Sequence, residues 1–165
     1  MTAAGALPAA VFVRQAGPGE AAIGYIGNVK TLGLALAVLA AVALAAEVSV
    51  VQPKDLAAEL AAKVAAPAVF QVGPNVLYRS KHIPGSVFAG PGSKAEGLEL
   101  LKTAVKGLKK DREIVIYCGC CPWDHCPNIK PAFEALRQMG FTRVKALYVP
   151  LSFKTDWIDH AYPVE

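Results

Sequence analysis

Four cysteines lie within nine residues, and the rest of the sequence contains none. They are Cys118, Cys120, Cys121 and Cys126. Disulfides that hold a small fold together need cysteines spread along the chain, so this local cluster indicates a working site instead. Grouped thiols can act as nucleophiles, exchange disulfides or bind a metal ion. The loop of residues 118–128 is therefore the candidate functional site.

Cys118 is the candidate nucleophile, because it directly follows a predicted buried strand. Three roles stay open for Cys120, Cys121 and Cys126. One of them could resolve a persulfide or sulfenate of Cys118 into a disulfide, or they could form a structural disulfide in an oxidising compartment. Together with Cys118 and His125 they could also bind Zn²⁺ or Cu⁺, although the spacing lacks the paired C-x-x-C knuckles of common zinc sites.

The other loop residues have supporting roles in this interpretation. Pro122 stiffens the loop, and Trp123 is expected to cover it as a lid. Asp124 and His125 could tune the thiol or carry a proton, or they are simply polar surface residues. Asn128 is the expected N-cap of the helix that follows the loop.

The segments around the loop predict a parallel sheet. Residues 114–117 form a continuous apolar run, as expected for a strand that is covered on both faces. Further strands are predicted at 68–72, 86–88 and 144–149, and helices at 53–64, 93–110, 129–139 and 156–160. Alternating strands and helices favour an α/β fold whose ligand site lies beyond the carboxyl ends of the strands. Cys118 follows such an end.

The composition is consistent with one globular domain. The chain has 165 residues, is 54% hydrophobic and carries a net charge of +4. No block of like charges occurs, so we expect no nucleic-acid partner. We also expect a monomer.

Residues 29–45 resemble an export signal. Residues 32–46 are fifteen apolar residues preceded by Lys30, and as a helix they would span roughly 22 Å, less than the ~30 Å core of a bilayer. We therefore predict a signal peptide at 29–45 with cleavage after Ala45; the alternative is an uncleaved membrane anchor. Residues 1–28 would be a disordered leader, or would precede the true start at Val29. The domain would then be 46–165, exported by a bacterium to the periplasm or the medium.

Three stretches together resemble rhodanese-like domains. Residues 78–86, YRSKHIPGS, are similar to the signature that ends in H-I-P-G-A. Residues 114–118, IVIYC, resemble the strand that leads to the catalytic cysteine, and residues 157–164, WIDHAYPV, resemble the closing W-x-x-x-G-Y-P-V. The match covers essentially all of 50–165. It implies a three-layer α/β fold with a central parallel sheet flanked by helices, in which His82 is structural.

The resemblance implies a sulfurtransferase. In that family the cysteine takes a sulfane sulfur from thiosulfate or a related donor, holds it as a persulfide and passes it to cyanide or a thiol. Cys118 would be this acceptor, residues from Gly119 to His125 would form the cradle, and no cofactor would be required. Inward-pointing backbone N–H groups and a helix N-terminus would stabilise the anion and lower the pKa of the thiol.

The chain departs from the family pattern at the site. Gln71 and Gly73 stand where the family has its Asp-x-Arg pair, and the cysteine loop contains no arginine. Lys130 or His125 would have to supply the cation that binds thiosulfate. The missing arginine also argues against a phosphatase. Two alternatives to sulfur transfer stay open: a metal-binding or thiol-redox module, and a rhodanese fold that only binds a partner.

Overall fold

The computed structural model describes residues 47–165. The predicted leader at 1–28 and signal segment at 29–45 lie outside these residues. Among the helices of the described part, none is both long and apolar enough to cross a membrane.

The described chain alternates strands and helices. The strands are β1 (Val50–Val51), β2 (Ala68–Gln71), β3 (Val87–Phe88), β4 (Ile114–Tyr117) and β5 (Val144–Leu147). The α-helices are α1 (Pro53–Ala62), α2 (Asn75–Ser80), α3 (Ala95–Ala104) and α4 (Ile129–Gln138). A 3-10 helix at Trp123–His125 and a π-helical segment at Lys154–Ile158 complete the elements. The short elements β1 and α2 were not predicted from the sequence.

All five strands belong to one parallel sheet in the order β1-β5-β4-β2-β3. β4 is therefore flanked by β2 and β5, and all four of its residues are buried, as expected from its continuous apolar sequence for a strand covered on both faces. The pairing places Gln71 beside Tyr117, so that both strands end at the same edge. The predicted α/β class and parallel sheet are confirmed.

Side chains of β4 alternate between the two faces of the sheet. Ile114, Ile116 and Cys118 belong to the core beneath α3 and α4. Val115 and Tyr117 belong to the core on the opposite face, with α1 and the fully buried Trp157. Successive side chains of a strand point to opposite faces of the sheet, so this alternation fixes the face on which the sulfur of Cys118 lies. It lies on the side of α4.

The HIPG segment is held against the end of β4. The hydroxyl of Tyr117 accepts a hydrogen bond from the Ile83 amide at 3.2 Å and contacts the Ser86 hydroxyl at 3.1 Å. Nδ1 of His82 lies 2.8 Å from the Tyr78 carbonyl, and the His82 backbone pairs with Glu165. These contacts give His82 the structural role that the resemblance implies.

Candidate functional site

The sulfur of Cys118 occupies a space that a glycine leaves open. Cys118 is 2% exposed and directly follows β4. A Cβ at Gly73 would stand 2.7 Å from this sulfur, closer than real Cβ contacts allow. The neighbouring Gln71 side chain donates a long hydrogen bond of 3.4 Å to the Cys118 carbonyl. The two departures from the family pattern thus both lie against the candidate nucleophile.

The glycine after the nucleophile turns the chain into the loop. Gly119 has φ of +72°, a conformation that other residues adopt at a cost. A Cβ there would lie 2.4 Å from Cβ of Phe153, whose amide donates to the Gly119 carbonyl. Gly119 therefore allows the close approach of the segment at 153 to the nucleophile loop.

The four thiols are free and three of them form a tight group. The Cys118 and Cys120 sulfurs are 3.1 Å apart, and those of Cys120 and Cys121 are 3.0 Å apart. The sulfurs of Cys118, Cys120 and Cys126 all lie within 4.8 Å of one another, close enough for one thiophilic ion to contact them. His125 and Cys121, which the sequence offers as further ligands, are not part of this group.

Asn128 contacts the sulfur of Cys118. Its Nδ2 donates to Cys118 Sγ at 3.3 Å, and its Oδ1 accepts the Ser93 amide at 3.1 Å. Because the Ser93 N–H can only donate, it fixes the orientation of the amide and places the donor toward sulfur. Asn128 does occupy the N-cap position, but its side chain makes no cap bond. The capping role predicted for this side chain is wrong, and the sequence contains no signal for its contact with Cys118.

The negative charge of the thiol pair is favoured on Cys126. A hydrogen bond from Cys118, with further bonds from the Asn128 and Ile129 backbone amides, lowers the pKa of Cys126 to about 5. The same contact with Cys126, together with burial, raises the pKa of Cys118. The resemblance implies a lowered pKa for Cys118, and the structure gives the opposite direction. The backbone amides at the start of α4 thus favour a thiolate on Cys126 and not on Cys118.

Two cavities reach the thiol group. The first, which we call the Cys118 cavity, has a volume of about 480 Å³ and is lined by Gln71, Tyr78, Lys81, Cys118, Cys120 and Lys154, among others. The second, the Cys126 cavity, has a volume of about 580 Å³ and is lined by Val48, Trp123, Asp124, Cys126, Lys130 and Tyr148, among others. Each cavity is within the range for a small-molecule site.

The cations of the Cys118 cavity differ from those expected. Lys81 and Lys154 line it, and Lys154 is paired with Asp159 at 2.7 Å. Lys130, one of the two substitutes that the sequence offers for the family arginine, lines the Cys126 cavity instead. His125 is exposed, and its carbonyl accepts a 3.8 Å contact from the Cys121 thiol. Lys81 and Lys154 lie far from the loop in sequence, so only the fold brings them to it.

The remaining loop residues shape the wall of the Cys126 cavity. Trp123 packs edge-on against Tyr148, with ring centroids 5.2 Å apart, and its amide donates to the Pro150 carbonyl. It lines both this cavity and the narrow space between Cys118 and Cys126, and its role as a lid stays a prediction. Asp124 is exposed and lines the same cavity, and the carbonyl of Pro122 accepts the His125 amide.

Comparisons with known proteins give one consistent family. A family model described as "Rhodanese-like domain" matches residues 52–148. No curated protein matches the chain.

Several solved structures resemble the chain. The BH2092 protein of Bacillus halodurans is 23% identical with a TM-score of 0.56, covering 82% of this chain and 84% of that one. The rhodanese-like domain of the Alr3790 protein from Anabaena sp. is 22% identical with a TM-score of 0.54, covering 72% and 80%. The RPA3614 protein of Rhodopseudomonas palustris, described as a possible tyrosine phosphatase, is 18% identical with a TM-score of 0.51, covering 72% and 85%. At these identities the likeness concerns the fold.

Proposed function

Because this chain belongs to the rhodanese-like domain family, we propose that it is a sulfurtransferase that carries sulfane sulfur as a persulfide on Cys118. One observation carries the proposal. A strand-end cysteine lines a cavity of about 480 Å³, and the amide of Asn128 donates to its sulfur at 3.3 Å. The proposed donor is a small sulfane-sulfur compound such as thiosulfate or a polysulfide, and the acceptor is a thiol or cyanide.

The neighbouring thiol group supplies the proton acceptor that Cys118 needs. The sulfur of Cys126 lies within 4.8 Å of that of Cys118, and Cys126 has the lower pKa of the two. As the Cys118 sulfur attacks the outer sulfur of thiosulfate, its proton moves to Cys126. A new S–S bond forms on Cys118, and sulfite leaves with the electron pair of the broken bond. The Asn128 amide then faces a persulfide anion, for which a charge-assisted hydrogen bond is favourable.

Lys81 and Lys154 support an anionic donor. They line the cavity that reaches Cys118, and their charges favour the entry of thiosulfate over that of a neutral sulfur compound. Lys81 forms no ion pair among the described residues, whereas Lys154 shares its charge with Asp159. Lys81 is therefore the main cation for the donor in this proposal.

The test is the mass of the intact full-length protein before and after anaerobic incubation with thiosulfate. We expect the wild-type protein to gain one sulfur atom, and the gain to disappear in Cys118→Ser. Cys121→Ser is the matched control, because Cys121 lies outside the three-sulfur group, and it should load normally. A wild-type protein that gains no sulfur from thiosulfate or polysulfide contradicts the proposal.

The three-sulfur group supports a second candidate, a site for a thiophilic ion such as Zn²⁺ or Cu⁺. Elemental analysis of protein purified without oxygen separates the two functions. A stoichiometric ion that Cys118→Ser abolishes, together with a failure to take up sulfur, favours metal binding. Sulfur uptake by a metal-free protein favours transfer.

We further propose that the domain is exported, with residues 29–45 as its signal peptide and the periplasm or the medium as its place of action. The apolar run at 32–46, preceded by Lys30, supports this location. N-terminal sequencing of protein recovered from the exported fraction should give a chain that begins at Ala46. A mature N-terminus upstream of Ala37 contradicts the prediction.

A further inference from the structure

We propose that Cys126 is a second sulfur carrier. The sulfane sulfur that Cys118 receives through the Cys118 cavity passes to Cys126, and a small thiol bound in the Cys126 cavity removes it there. The inference rests on the proposed function, since Cys118 has to be loaded first.

The distance between the two cysteines is short enough for direct transfer. Their sulfurs lie within 4.8 Å of each other. A sulfur atom added to Cys118 extends the side chain by about 2 Å. If it projects toward Cys126, the outer sulfur comes within contact distance, so a small rearrangement of the loop is enough for transfer. A narrow space lined by both cysteines joins them.

The two cysteines face different cavities. Cys118 lines the cavity with Lys81 and Lys154, and Cys126 lines the one with Trp123 and Tyr148. Transfer from the first cysteine to the second therefore moves the sulfur from one opening of the site to another. The sulfur donor and the thiol acceptor then occupy separate cavities, so the donor does not have to leave before the acceptor binds.

The Cys126 cavity suits a thiol better than a second small anion. Its wall is largely apolar and aromatic, with Val48, Ile129, Trp123 and Tyr148. The charge of Lys130 is opposed there by that of Asp124. At about 580 Å³ it has room for a small organic thiol.

Cys126 is also placed to hold the transferred sulfur. The backbone amides of Asn128 and Ile129 favour the charged form of the Cys126 thiol, and the same donors can face a persulfide anion on Cys126. Cys120 is nearer to Cys118, with sulfurs 3.1 Å apart, but it lines the Cys118 cavity. Transfer to Cys120 would leave the sulfur in the cavity through which it entered.

The step is neutral in electrons and protons. The proton that Cys126 took during loading returns to the persulfide of Cys118, leaving Cys126 as the thiolate. This thiolate attacks the outer sulfur, the new S–S bond forms on Cys126, and the bond to Cys118 breaks with its electron pair on Cys118. The proton of the persulfide returns to Cys118. No oxidant or reductant is consumed.

The test follows the sulfur in the full-length protein loaded with thiosulfate. After alkylation and digestion, tandem mass spectrometry locates the extra sulfur among the cysteines. In the wild-type protein we expect the extra sulfur on both Cys118 and Cys126. In Cys126→Ser we expect it on Cys118 alone. Discharge of fully loaded protein by glutathione should slow about tenfold or more in Cys126→Ser. Cys121→Ser is the matched control, because Cys121 lies outside the three-sulfur group and lines neither of the two cavities, and it should discharge at the wild-type rate.

Different failures point to different errors. If Cys126→Ser discharges as the wild type does and the sulfur stays on Cys118, the transfer to Cys126 is wrong and the proposed function stands. If Cys118→Ser still loads Cys126, both the transfer and the assignment of Cys118 are wrong. Release of hydrosulfide with a Cys118–Cys126 disulfide also overturns the transfer. A wild-type protein that takes no sulfur contradicts the proposed function itself. Locating the sulfur in the wild-type protein needs no variant, so a poorly folded Cys126→Ser does not prevent a decision.

Discussion

Replacing Asn128 with aspartate tests whether the site depends on the hydrogen bond to Cys118. Nδ2 of Asn128 donates to Cys118 Sγ at 3.3 Å, and Oδ1 accepts the Ser93 amide. Asn128→Asp keeps the shape and the bond to Ser93, but it turns the donor that faces sulfur into an acceptor. The substitution is therefore expected to impair sulfur loading, and because Asn128 is buried, an ionised carboxylate there also lowers the folding stability.

The size of the effect follows from the charge that develops on sulfur. A hydrogen bond to a charged group is worth about 1.5–3 kcal/mol, so its loss should slow loading roughly ten- to a hundredfold. An ionised carboxylate oxygen at 3.3 Å would add a repulsion of about 5 kcal/mol at an effective dielectric constant of 20. Such repulsion raises the pKa of the new carboxyl, so the defect should become smaller as the pH falls and the carboxyl is protonated.

The assay is the single-turnover rate of sulfur uptake from thiosulfate between pH 5 and 8, with thermal melting in parallel. Asn75→Asp is the matched control, because Asn75 is exposed on α2 and is not among the residues that line the Cys118 cavity. The control should load at the wild-type rate. If folded Asn128→Asp loads within twofold of the wild type at neutral pH, the proposed role of the amide is refuted.

Three further predictions concern other parts of the molecule. Lys81→Ala should raise the KM for thiosulfate about threefold or more, whereas Lys130→Ala, in the other cavity, should leave it unchanged in steady-state assays. The lowered pKa of Cys126 predicts that the free energy of unfolding, measured by urea titration, declines as the pH falls from roughly 8.5, the usual pKa of a thiol, through about 5. The Cys126→Ser variant should lack this decline. Gly119→Ala should lower the free energy of unfolding by about 2 kcal/mol or more, through both backbone strain and the clash with the facing phenylalanine. Gly107 has φ of +87° and open space around it, so Gly107→Ala should lose only the stability that backbone strain costs. Equal losses of stability in the two variants would mean that the clash with the phenylalanine is relieved.

The main chain around the site was predictable because its sequence carries strong periodic signals. The apolar run of β4, the turn after it and the helix at Ile129–Gln138 all follow from residue spacing. The position of Cys118 at the end of a central parallel strand follows from them. β1 and α2 were missed because two and six residues are too short to show a period.

The chemistry within the loop was less predictable. Asn128 has the residue type and position of an N-cap, and only the packing of Gly92 and Ser93 against it turns its amide toward sulfur. Likewise, four cysteines close in sequence do not reveal which one receives the helix amides. In the folded protein the amides of Asn128 and Ile129 lower the pKa of Cys126, which lies two residues before the helix N-cap position.

Gly73 links the sequence at the end of β2 to the position of the nucleophile. The rhodanese-like pattern that the sequence resembles has an arginine here, but any side chain at this position would begin 2.7 Å from the Cys118 sulfur. A Gly73→Arg substitution would therefore displace the nucleophile before the new charge could bind a donor. Installing the arginine of that pattern would require the β2 edge and the cysteine loop to be redesigned together.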